Sequence, residues 1–217
     1  MKLVRDFERR LEQLVDGMAG KVFRGKLHPV ELASRLVREA DLGVEESPIG
    51  PTAPNIYSLR VNPRGLDTDV PSDLIRELEE VLESTAADRG WRLGGPVRVS
   101  LETAEGVSPG TVDCRVDRSP GRRLPWAFLV DERGSRLAVV DNRCLIGRAE
   151  TCDITIGHPG VSRTHALLWR ESGEVWVSDL GSANGTEVDG SSSHSPLLLS
   201  AGGVLALGPV ELTFNEV

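Results

Sequence analysis

The chain has 217 residues, room for one large domain or two small ones. Its net charge of −8 argues against a general nucleic-acid binder, because neutralising phosphates dominates that kind of affinity. No apolar run approaches the ~20 residues of a membrane span, and the first residues lack a secretory apolar core.

The charge is uneven: nine basic against six acidic residues over 1–40, eight against fifteen over 41–118, eight against twelve over 119–217. Three cysteines (Cys114, Cys144, Cys152) are odd in number and form no CxxC pair, which points to a reduced, cytoplasmic protein.

In chain order, Val4, Phe7, Leu11, Leu14 and Met18 recur at steps of three and four and predict an amphipathic helix. A second helix is expected from His28-Pro29, with proline at its first helical position and Leu32, Leu36, Val37 and Ala40 inward. Residues 43–54, rich in Gly and Pro, read as a loop, Asn55–Asn62 as a strand, and Pro63-Arg64-Gly65 as its turn. A third helix is expected from Ser72 to Arg89. Val97, Val99 and Leu101 then alternate as a strand, with Thr111–Val116 as its hairpin partner. The sum is an ααβαββ unit, a small sheet covered by helices.

The remainder reads as all-β: Trp126–Val130, Leu137–Val140, Cys144–Ile146, Asp153–Ile156, Ala166–Trp169, Val175–Ser178, Thr186–Val188, Val204–Ala206 and Val210–Phe214. Many short strands between Gly, Asn, Asp and Pro turns argue a two-sheet sandwich. Trp126, Trp169 and Trp176 fall in strand patterns as core or sheet-face residues, and Ser191–Pro196 reads as a surface loop. The expected layout is residues 1–117, a linker over 118–124, and the sandwich over 125–217.

Three blocks in this second half carry chemistry: Gly147-Arg148, Ser162-Arg163-Thr164-His165, and Ser182-Ala183-Asn184-Gly185-Thr186. Arginine supplies a planar fork matching phosphate oxygens, hydroxyls and backbone N–H groups add uncharged donors, and glycine permits close backbone approach. An Asn side chain pairs acceptor with donors and so suits a bound peptide's main chain.

In order and spacing the blocks resemble the signature of the forkhead-associated (FHA) domain. That resemblance implies a β-sandwich that binds phosphothreonine peptides on the loops at one end. It assigns phosphopeptide contact to Arg148, Ser162, Arg163, Ser182, Ala183 and Asn184, with Ser182 also buttressing its loop, and support of the loops to Gly147, His165 and Gly185. Each has a plainer reading: a solvated arginine, a turn-capping serine, an asparagine chosen for its turn. Arg163 stays open between phosphate neighbour and exposed side chain. Ala183 is a departure, since relatives carry Thr, Ser or a basic residue there; only its N–H is left to reach a phosphate.

The first half has its own resemblance. Phe7-Glu-Arg-Arg-Leu-Glu12, Val22–Ala33, Pro54-Asn-Ile-Tyr57 and Gly95–Val99 are similar to the N-terminal domain of the actinobacterial FhaA family. The family implies an adaptor in Ser/Thr-kinase signalling that regulates peptidoglycan synthesis and cell division. Its partner would be a threonine-phosphorylated protein, an MviN-type pseudokinase or a Ser/Thr kinase, with recruitment to the inner face of the membrane. Mycobacterial relatives carry a long disordered stretch between the domains, whereas here only about Asp117–Leu124 separates them. Thr68, Thr103 and Thr111 are available to a kinase, and the sequence does not choose among them.

Other classes read less well. Ser162, His165 and Asp179 can be drawn as a hydrolytic triad, but no G-x-S-x-G elbow surrounds the serine. Cys144, Cys152, His158 and His165 lack the paired spacing of structural zinc, so neither metal nor cofactor is expected. Gly17-Met-Ala-Gly20 fits the GxxG loop of KH domains and, with the positive first 40 residues, keeps an RNA-binding protein as the alternative.

Overall fold

The structure is a computed structural model that describes residues 29–65 and 72–217. The expected first helix, the Gly17–Gly20 loop and Thr68 lie outside these residues. The described chain divides into two compact units, one within 1–46, 52–86 and 93–122, the other comprising 47–51, 87–92 and 123–217. Among the described residues no helix is long and apolar enough to cross a membrane.

In the first unit, α1 (Pro29–Leu42) buries Leu32, Ala33, Leu36, Val37 and Ala40, the stripe its spacing predicts. The stretch read as a loop holds two short strands, β1 (Glu45–Ser47) and β2 (Gly50–Ala53). Three- and four-residue strands among prolines show no alternation to find. β3 (Ile56–Val61) alternates as expected, with Tyr57, Leu59 and Val61 buried. α2 (Ser72–Asp88) buries Leu74, Leu78, Val81, Leu82, Thr85 and Ala86, and a two-residue strand, β4 (Arg92–Leu93), follows.

β5 (Arg98–Thr103) and β6 (Val112–Asp117) correct the expected hairpin. They lie on opposite sides of β3, β5 parallel from Ile56↔Arg98 and β6 antiparallel from Ile56↔Asp117. The physical reason is that α2 supplies the crossover a parallel neighbour needs, so β5 takes one edge of β3 before β6 is reached. The 104–111 connection then passes the end of β3, held by Ala104 N–H to Val61 O (2.8 Å) and Asn62 Nδ2 to Val107 O (2.7 Å). Two outward N–H groups on the β5 side are also occupied: Val97 donates to Glu83 (3.2 Å) and Val99 to Glu79 (3.1 Å), both on α2. Beyond β6 the chain stays attached to this unit. Buried Asn55 accepts from Ser119 N–H (3.0 Å) and donates to Ser119 O (2.9 Å) and Pro96 O (3.0 Å).

The second unit contains the sandwich. One sheet orders β10 (Ile154–Thr155), β9 (Arg143–Gly147), β11 (Ala166–Glu171), β12 (Glu174–Asp179) and β15 (Leu197–Leu198). The other orders β14 (Ser191–Ser192), β13 (Thr186–Val188), β16 (Val204–Leu207), β17 (Val210–Glu216), β7 (Ala127–Asp131) and β8 (Arg136–Val139). Their facing sides bury Leu129, Ile146, Leu168, Val177, Leu205, Leu212 and Phe214. Trp126 closes one side, edge-on to Phe214 at 6.0 Å. Trp169 and Trp176 are cross-strand partners, half-buried on the sheet face. The expected 191–196 loop contains β14, and β15 follows it; two-residue strands carry no pattern.

Candidate functional site

Gly147 ends β9 and Arg148 begins the first loop. A Cβ at Gly147 would overlap the Arg163 carbonyl and sit 3.0 Å from Cys152 Sγ, so glycine is what lets the second loop cross here. Two straps follow, Arg148 N–H to Ser162 O (2.8 Å) and Ala149 N–H to Arg163 O (3.1 Å). Arg148 Nε donates to Val161 O at 3.2 Å, which fixes the guanidinium direction. Arg148 and Arg163 are both exposed, and among the described residues neither forms an ion pair.

His165 is fully buried. Its Nδ1 accepts from Ser162 N–H (3.0 Å) and its Nε2 lies 2.9 Å from Gly185 O. A carbonyl only accepts, so these partners assign the ring proton to Nε2. One imidazole thus ties the second loop to the third.

The third loop is organised by Asp179, whose role the sequence reading missed. Its Oδ1 accepts from Gly181 N–H and Ser182 N–H (both 2.8 Å); its Oδ2 accepts from the Ser182 hydroxyl (2.6 Å) and the Thr186 hydroxyl (2.7 Å). Burial pushes the carboxyl pKa up, but the Ser182 and Thr186 hydroxyls and the two backbone donors outweigh it and hold it below the usual aspartate range. The Asp-x-x-Ser spacing was the available signal, an Asx turn opening the loop. Gly185, at φ 81°, supplies the left-handed turn before β13.

Arg148, Ala149, Thr151, Pro159, Gly160, Val161, Ser162, Arg163, Thr164, Ala183 and Asn184 line one open groove of about 680 Å³. Five of the six expected contact residues therefore meet. The sixth, Ser182, lies outside the groove lining and serves as the loop's buttress: its hydroxyl turns to Asp179 and accepts from Gly185 N–H at 2.9 Å. Ser162 Oγ accepts from Ala183 N–H (3.0 Å), which leaves the serine proton to donate into the groove. The same bond occupies the Ala183 N–H. Asn184 spends one amide hydrogen on Gly160 O (2.8 Å), keeping its other hydrogen and its oxygen for a ligand. Thr151, Pro159 and Gly160 went unnoticed because such residues in loops carry no periodic signal, and Thr164 was named only as part of its block.

The conceivable triad is not wired as one. His165 bonds the backbone of Ser162 and Gly185, and Asp179 bonds Ser182 and Thr186. The groove is instead a set of donors around an open space, suited to an anion on an extended chain.

Both halves of the chain are similar to known proteins. The family model "FhaA, N-terminal domain" matches residues 4–115, and that of the FHA domain matches residues 144–208. The glycogen accumulation regulator GarA of Mycobacterium tuberculosis is 30% identical over 156 residues, covering 69% of this chain and 88% of GarA. An oxoglutarate dehydrogenase inhibitor of Corynebacterium jeikeium is 28% identical over 143 residues, 66% of this chain and 82% of that protein. A solved FhaA FHA domain, complexed with the intracellular domain of Rv3910, is 27% identical with a TM-score of 0.37, covering 41% of this chain and 97% of that one. The chain belongs to the FhaA family, an FhaA N-terminal domain followed by an FHA domain.

Proposed function

We propose that the chain is a non-enzymatic adaptor whose FHA unit holds threonine-phosphorylated proteins. The observation that carries this reading is the groove itself: two exposed arginines without carboxylate partners among the described residues, the Ser162 hydroxyl, and Asn184. Arg148 binds the phosphate through its guanidinium, Ser162 donates its hydroxyl proton, and Arg163 adds charge from the same side. Asn184 holds the ligand's main chain beside the phosphothreonine. The domain limits in this reading are 1–117 and 125–217, joined by 118–124.

Family membership supports a place in Ser/Thr-kinase signalling to peptidoglycan synthesis and cell division, in the cytoplasm at the inner membrane face. The partner there is a phosphorylated MviN-type pseudokinase domain or a kinase. A second reading follows from the curated relatives, one named as a regulator of glycogen accumulation and one as a dehydrogenase inhibitor. In that reading the same unit docks on a metabolic enzyme.

Calorimetric titration with one peptide in phosphothreonine, phosphoserine, phosphotyrosine and unmodified forms tests the reader. Binding of the phosphothreonine form is expected, falling roughly a hundred-fold, about 2.7 kcal/mol, in Arg148→Ala. Equal binding of the unmodified peptide would refute it.

A further inference from the structure

The turn between β16 and β17 is far in sequence from the three motif blocks, yet it touches the third of them and Gly160, two residues before the second. Leu207 pairs with Val210, so Gly208 and Pro209 form a two-residue hairpin tip with Gly208 at φ 59°. Gly208 N–H donates to Gly185 O at 2.9 Å, the carbonyl that His165 Nε2 also reaches. A Cβ at Gly208 would stand 2.8 Å from Gly160 O and 2.9 Å from Asn184 Cβ. A Cβ at Gly160 would stand 2.5 Å from Pro209 Cγ and 2.6 Å from its Cδ. Gly160 O is itself the acceptor of the Asn184 amide, and Gly160 N–H is turned toward His158 Nδ1 at 3.0 Å. Both glycines are therefore sites of close approach, and what they bring together is the bond that orients Asn184.

We infer that Gly208 and Pro209 are positioning residues of the phosphopeptide site, seating the Gly160 carbonyl so that it holds the Asn184 amide toward the ligand. The inference rests on the phosphopeptide reading for its binding consequence but not for its geometry. Gly160 needs no left-handed φ, so Gly160→Ala adds the clash without backbone strain there, and Pro209→Ala removes the two ring atoms the new methyl meets most closely, leaving only His158 Nδ1 at 3.1 Å.

The experiment is titration of the phosphothreonine peptide against Gly160→Ala, Asn184→Ala, their double variant, and Gly160→Ala/Pro209→Ala. Asn184→Ala and Gly160→Ala should each weaken binding about ten-fold. The Gly160→Ala/Asn184→Ala pair should be no weaker than Asn184→Ala alone, and Pro209→Ala should restore Gly160→Ala to within about two-fold of wild type. Additive losses, or no rescue, overturn the inference. If the wild-type chain binds no phosphopeptide, the functional reading fails, and the Asn184 side-chain amide resonances of the ligand-free protein decide the geometry. They should shift in Gly160→Ala and return in Gly160→Ala/Pro209→Ala; resonances unmoved by Gly160→Ala overturn the inference.

Discussion

The two loops that supply Ser162 and Asn184 to the groove are held by different means. Residues 179–186 are locked from within, by one carboxylate that takes four donors no more than seven residues away. Residues 157–164 are held largely from outside, by Arg148 and Ala149 N–H groups, Ala183 N–H and the Asn184 amide. A loop that braces itself can form early and then template its neighbour. A loop braced by others has its shape only when the sandwich is complete.

The largest effect should come from removing the internal brace. Asp179→Ala should cost about 2–3 kcal/mol in chemical denaturation and abolish detectable phosphopeptide binding, since the 157–164 loop would lose its template too. If spectral changes stayed within 179–186 and binding survived, the two loops would be independent.

His165→Ala comes next, at about 2 kcal/mol, because it leaves the Ser162 N–H and a share of the Gly185 carbonyl without their buried partner. Its resonance changes should reach both loops, and confinement to one would break the tie proposed between them. Ser182→Ala should cost about 1 kcal/mol, with changes mainly within the third loop. Ala183→Thr should strengthen phosphothreonine binding by about five-fold, by restoring a hydroxyl at the groove; unchanged affinity would mean the side chain at this position misses the phosphate.

The smallest effect is a slope. Asp179 has a depressed pKa in the folded chain, so its contribution is present above the ordinary aspartate range and is lost as pH falls through the folded value. Between about pH 5 and about pH 3, wild-type stability should therefore drop more steeply than that of Asp179→Asn. Parallel profiles would show that the carboxylate is not the brace.

The same contrast explains what the sequence made legible. Arg148, Ser162 and Asn184 stood out because each sits in a short motif with its glycines, and the strands behind them alternate clearly. Asp179 was visible only as a possible catalytic acid, although its spacing to Ser182 encoded the turn. Gly208 and Pro209 gave no functional sign, because their effect depends on a hairpin tip reaching Gly160 across nearly fifty residues of intervening chain. In the first unit, the alternation of β3 was plain and the side taken by β6 was not. Pairing partners are a property of topology, which local pattern does not contain.

Glu79 and Glu83 take the outward N–H groups of Val99 and Val97, and that has a consequence for association. A sheet border normally offers a row of unspent donors on which another chain can lay down a strand. On the β5 side two of those donors are already spent, so a visiting strand would first have to displace both carboxylates. At the Val97–Val99 end of this border a partner is therefore held more readily through side chains than by a laid-on strand. Slow exchange of the Val97 and Val99 amides with solvent deuterium would mark the border as closed.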